Sequence, residues 1–115
     1  MADSIFIGGA DANGTGKPDV AQELLLKIAN RHGLVAGATG TGKTKTLQVL
    51  AEQLSAAGVP VFAADIKGDL SGIAAAGEPS EKLLARTEGI GQDWRPTGHP
   101  TEFYCLGGIG RGVPI

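Results

Sequence analysis

Hydrophobic and polar positions along this chain change period several times, and each change predicts an element. Ile5, Phe6 and Ile7 form a short apolar run closed by Gly8 and Gly9, the pattern of a strand. "ADANGTGKPD" follows, with Asn13-Gly14 and Lys17-Pro18 as turn signals. Residues 20–28, "VAQELLLKI", fit two periods. Val20, Leu24, Leu25 and Ile28 share a helical face, whereas Leu24, Leu26 and Ile28 share one face of a strand; propensity leans toward helix.

Beyond Asn30, "HGLVAG" predicts a short buried strand ending at Gly37. A glycine-rich loop intervenes, and from Thr44 the period becomes three and four, with Leu47, Leu50, Ala51 and Leu54 apolar and Gln48, Glu52 and Gln53 between them. That is an amphipathic helix, and Gly58 is its expected stop. Pro60 bars further helix, and "VPVFAADI" is a nearly all-apolar strand of the kind covered on both faces in a parallel sheet. Strand, glycine loop, helix and strand make a right-handed βαβ unit. "PSEKLLARTEG" predicts a short helix with Ser80 as N-cap, and "TEFYCL" a third strand. The fold class expected is α/β with a parallel sheet and flanking helices.

A length of 115 residues suits one compact domain. Hydrophobic residues at 42%, charged residues at 19% and a net charge of -2 describe a soluble globular chain, not a disordered one. So even a balance gives no overall pull toward nucleic acid or an anionic membrane; a nucleic-acid contact needs a local patch. The single cysteine, Cys105, excludes an intrachain disulfide and a cysteine-based zinc site. "MADSIFIGGA" has no basic leader, and no run of about 18 apolar residues occurs, so the expectation is a cytoplasmic chain with no membrane partner. The 19 glycines matter more, because many fall in pairs or alternation and the chain closes on the turn-rich "GGIGRGVPI".

The chemistry concentrates in "GATGTGKT", residues 37–44. Gly37, Gly42, Lys43 and Thr44 meet G-x-x-x-x-G-K-[ST], the Walker A pattern, with Ala38, Thr39, Gly40 and Thr41 filling the turn and Lys45 following it. Glycines let the backbone take angles that a Cβ forbids, turning successive N–H groups inward as a nest for phosphate oxygens. The helix that opens near Gly42 aims its unpaired N–H groups and positive dipole end at the same place. Lys43 adds a cation for the β- and γ-phosphates, and the Thr44 hydroxyl is placed to coordinate magnesium. The motif lies between a predicted strand and a predicted helix, the context it requires.

Asp65, at the end of the second strand in "FAADIKGDLSG", has two readings. With Asp69 it holds a magnesium-bound water or the nucleotide at the carboxyl end of a parallel strand, or it caps a turn while Asp69 N-caps a short helix. Asp65 to Gly68 also satisfies D-x-x-G, a GTPase motif, but the guanine-reading N-K-x-D is absent. His32, Trp94, Arg95 and His99 read as structural rather than as base contacts, Cys105 as core, and the glycines of "GGIGRG" follow no complete dinucleotide-binding unit.

The run from Asn30 to Leu70, "NRHGLVAGATGTGKTKTLQVLAEQLSAAGVPVFAADIKGDL", resembles the start of the ATPase domain in the HerA-like helicase and translocase family, and within it the bacterial YjgR-type branch. The likeness continues through "SEKLLARTEGIG" and "PTEFYCLGG". It implies a P-loop NTPase fold similar to FtsK and RecA-type motors, with ATP and magnesium as cofactors and Lys43 as the catalytic candidate. Gly37 to Gly42 would wrap the phosphates, Lys43 would stabilise the γ-phosphate, and Thr44, with Asp65 as a second candidate, would bind the metal. Better understood relatives form hexameric rings that move duplex DNA, so DNA and further copies of the chain are the implied partners. The resemblance also implies a strand before the loop, shifting residues 20–28 from helix toward strand.

Two parts follow: residues 1–29 as an N-terminal β segment with a glycine-rich turn, and residues 30–115 as the N-terminal part of a P-loop ATPase domain. A hydrolysing relative needs a later acidic strand, a polar sensor and an arginine finger, and none lies after Cys105. The expectation is therefore an incomplete sheet and poor turnover by this chain alone. A P-loop kinase or GTPase, or a non-hydrolysing regulatory module, are the rival readings.

Overall fold

A computed structural model describes residues 3–108, 110 and 112–115. Its first unit is an antiparallel hairpin of β1 (Ser4–Ala10) and β2 (Val20–Leu25), which pairs Ile5 with Leu24 and Ala10 with Val20. Register slips between Phe6 and Gly8, a bulge that bends and twists the ribbon. The strand runs on through Gly8 and Gly9, where the sequence pattern predicts its end. Gly9 serves packing: a Cβ there would stand 2.8 Å from the Pro18 Cβ and 3.1 Å from the Ile90 carbonyl oxygen, so only a bare backbone lets these segments meet.

Carboxylates shape the hairpin loop. Asp11 accepts the N–H groups of Thr15 and Gly16 at 3.0 and 2.7 Å, and Asp19 accepts the Ala12 N–H at 2.9 Å and the Asn13 amide. The Gly16 N–H above all holds the Asp11 carboxyl below the usual aspartate range. Segment 20–28 settles as strand to Leu25 followed by a 3-10 turn, Leu26–Ile28. Pairing with β1 satisfies its backbone and covers Ile5, the buried apolar residue of the hairpin, and this outweighs the lean to helix.

Helix α1 (Lys43–Ala56) lies against β1. Gly58, at φ +86°, ends it as predicted: the Gly58 N–H bonds the Ser55 carbonyl at 3.0 Å and the Val59 N–H the Leu54 carbonyl at 2.9 Å, a Schellman closure. Helix α2 (Glu81–Gly89) begins at Ser80, whose hydroxyl accepts the Leu83 N–H at 3.2 Å. It ends in the same closure at Gly91, with Thr87 buried and its hydroxyl donating to the Leu83 and Leu84 carbonyls. "TEFYCL" yields only the two-residue β3 (Tyr104–Cys105), paired in parallel with β4 (Val113–Pro114). Ile109 and Arg111 of the "GGIGRG" loop lie outside the described residues.

The fold is a small α/β arrangement of two helices and two two-stranded sheets. The parallel sheet expected from residues 32–37 and 59–66 is not formed among the described residues: neither segment is a strand or carries a ladder. A non-alternating strand needs neighbours at both edges and cover on both faces. Here it has neither, and Leu34 and Phe62 are 89% and 90% exposed. Among the described residues no helix is long and apolar enough to cross a membrane.

Candidate functional site

The loop from Gly37 to Gly42 folds tightly over the start of α1. Gly40 and Gly42 have φ of +82° and +96°, left-handed angles that side chains disfavour. Three donors converge on the Ala38 carbonyl: the Thr41 hydroxyl at 2.6 Å, the Thr41 N–H at 3.3 Å and Lys43 Nζ at 2.8 Å. Gly37 is bare by necessity, since a Cβ there would stand 2.5 Å from the Thr41 hydroxyl oxygen.

Gly42 is the N-cap of α1 and offers no side-chain oxygen to the first N–H groups of the helix. The positive end of α1 is thus open toward the loop, with the Lys43 ammonium beside it. Gly37 to Gly42 are exposed, Lys43 and Thr44 half-buried and Lys45 exposed. The Thr44 hydroxyl makes no hydrogen bond among the described residues. An uncapped helix start, left-handed glycines and a primary ammonium fit a phosphate group, and the free Thr44 hydroxyl fits a hard cation carried with it.

A cleft of about 240 Å³ opens beside Thr44, between α1 and the turn at residues 65–70, and Leu47, Asp65, Asp69 and Leu70 also line it. Asp65 organises that turn: its carboxylate accepts the Gly68 N–H at 2.9 Å and the Leu70 N–H at 2.8 Å. The Leu70 N–H is the main cause holding the Asp65 carboxyl below the usual aspartate range. Asp69 does not cap the following 3-10 turn, Ser71–Ala74; Leu70 precedes that turn with no cap bond. Instead the Asp69 carbonyl accepts the Gln48 side-chain amide at 2.7 Å. The structure therefore brings Thr44, Asp65 and Asp69 to one cleft. Among the described residues no cluster of three His, Cys, Asp or Glu side chains suits a metal.

A family model described as helicase HerA-like C-terminal matches residues 11–115. The chain belongs to this family. No curated protein and no solved structure matches it. In this HerA-like chain the match takes in the Gly37–Thr44 loop, α1 and the 65–70 turn, and membership places them in a helicase-type ATPase context.

The other residues singled out in this HerA-like chain stay apart from the cleft. Arg95 pairs with its near neighbour Asp93 at 3.3 Å on the surface, Trp94 lies 3.7 Å from the position of a Gly77 Cβ, and the His99 N–H bonds the Ile73 carbonyl at 3.0 Å. His32 is exposed, and Cys105 is half-buried with its Sγ 3.8 Å from the Gly112 carbonyl. Gln48 escapes sequence reading, because a polar position between Leu47 and Leu50 reads as the solvent face of an amphipathic helix.

Proposed function

We propose that this chain binds ATP with magnesium through Gly37 to Lys45, as part of a HerA-like ATPase that couples hydrolysis to movement on DNA. The observation that carries the reading is the open start of α1, where left-handed glycines, free helix N–H groups and the Lys43 ammonium converge. Gly37, Ala38, Thr39, Gly40, Thr41 and Gly42 cradle the phosphates by their backbone. Lys43 exchanges the Ala38 carbonyl for a phosphate oxygen and is the residue that stabilises transferring charge. Thr44 holds the magnesium, Lys45 lies at the rim, and Asp65 adds negative charge across the cleft. The magnesium, when bound, neutralises phosphate charge and polarises the phosphoryl group.

The same reading assigns residues 1–29 to a leading β segment and residues 30–115 to the N-terminal part of the ATPase domain. Residues 32–37 and 59–66 are then strands of a P-loop parallel sheet completed by further strands. Their non-alternating apolar sequence and exposed side chains support this. DNA and further copies of the chain in a ring are the partners, and the lone free thiol of Cys105 suits the reducing cytoplasm.

Calorimetric titration of ATP and GTP with magnesium, on the protein and on Lys43→Ala, tests the proposal. Saturable ATP binding weakened at least about tenfold in the variant is expected from loss of a charge-assisted contact. A folded protein that binds neither nucleotide overturns the reading, and selective GTP binding replaces it with the GTPase alternative.

A further inference from the structure

The 65–70 turn is built as a unit. Asp65 accepts two of its N–H groups, and the Ser71 hydroxyl donates to the Gly68 carbonyl at 2.9 Å. Internal bonds fix the turn's shape but not where it sits. Apolar packing helps to place it at one end only, where Leu70 is half-buried and lines the cleft with Leu47; Ile66 at its tip is fully exposed and residues 65–69 are all exposed. Among the described residues one hydrogen bond ties it to α1, the 2.7 Å bond from the Gln48 amide to the Asp69 carbonyl.

Gln48 lies four positions after Thr44, one turn along the same helix face. It therefore helps to hold the turn, whose Asp65, Lys67 and Asp69 line the cleft, close to the stretch of α1 that carries Thr44. Asp65 and Asp69 together outweigh Lys67 by one negative charge in that lining, so a divalent cation beside Thr44 gains from the turn held close, and the gain falls with distance as the turn swings out.

We propose that Gln48 is a positioning residue of the nucleotide site, which holds the 65–70 turn against α1 so that Asp65 and Asp69 favour the divalent cation carried by the nucleotide. This rests on the ATP reading given above. Gln48 need not touch the nucleotide, so its removal should act on the part of binding that depends on magnesium.

The test uses Gln48→Met, which keeps length, charge and helix propensity but removes the donor, and Gln48→Lys, which restores a donor to the carbonyl. ATP affinity is measured by titration with magnesium and again with the metal chelated, after circular dichroism has shown wild-type helix content. The expected result is magnesium-ATP binding about fivefold weaker in Gln48→Met, the size of one lost hydrogen bond. Affinity without metal should match the wild type, and Gln48→Lys should recover the magnesium-dependent part. Unchanged binding in Gln48→Met, or equal loss with and without metal, overturns the positioning role while leaving the ATP reading intact. A wild-type protein that binds no ATP in either condition overturns the ATP reading, and the role of Gln48 with it.

Discussion

Gly37 and Thr41 approach so closely across the loop that a methyl group on Gly37 would stand 2.5 Å from the Thr41 hydroxyl oxygen. That hydroxyl is one of three donors on the Ala38 carbonyl, so the bare Gly37 backbone is a condition of the loop's closure. Gly37→Ala should displace Thr41 and open the loop. ATP binding, measured by titration, should weaken roughly three- to tenfold, the range for one lost hydrogen bond, with little change in melting temperature because the loop is exposed. Wild-type affinity in that variant would show that the Gly37–Thr41 contact plays no part in binding.

Gly42 and Gly58 bracket α1 with left-handed angles of +96° and +86°. Alanine at either position should cost about 1 kcal/mol of stability through backbone strain, read as a similar fall in melting temperature. Only Gly42→Ala should also weaken ATP binding, because only Gly42 lies where the helix N–H groups are open. Equal effects on nucleotide from both variants would mean that binding follows overall stability rather than loop shape.

Asp65 gives the cleft a pH dependence with a definite sign. Its carboxyl lies below the usual range because the ionised form accepts the Leu70 and Gly68 N–H groups. The stabilisation is therefore complete above the unfolded-state value and is lost as pH falls through the lower folded value. Amide NMR signals of Gly68 and Leu70 should stay constant from neutral pH downward and move only below about pH 4. In Asp65→Asn the same signals should be flat through that range. A midpoint near pH 6 would contradict the assignment of these bonds.

Ser80 caps α2 through the Leu83 N–H, and neither Ser80 nor α2 lines the cleft beside Thr44. Ser80→Ala should lower stability by about 1 kcal/mol, measured by urea unfolding, with ATP affinity unchanged. A loss of binding would reveal coupling between α2 and the loop.

Local chemistry made much of this molecule readable in advance. Gly58, Ser80 and the 3.6-residue repeat of α1 act through neighbours within a turn or two, so each is visible in a short window of sequence. The glycine loop is legible for the same reason, since Gly37, Gly40 and Gly42 answer a backbone demand a few residues long. Longer-range facts were hidden. Whether residues 20–28 become strand or helix depends on β1, and the extension of β1 through Gly9 depends on pairing with Gln22, Ala21 and Val20 of β2. Gln48 reads as solvent-facing until the 65–70 turn arrives to receive its amide, and Asp69 reads as a cap although the 3-10 turn begins one residue later, after Leu70. Residues 32–37 and 59–66 carry the pattern of buried strands, but pattern alone supplies no partner.

Those two unpaired segments have a thermodynamic consequence. Residues 32–37 lead directly into the Gly37–Thr44 loop, so on the ATP reading the freedom of that backbone is freedom that a bound phosphate would have to restrain. Any strand that ladders onto them takes up part of the ordering cost before nucleotide arrives. Nucleotide affinity and strand pairing are then linked, each strengthening the other by the same factor. On that reading the unladdered segment beside the loop would make the cradle responsive to its surroundings, its strength set partly by what lies next to it.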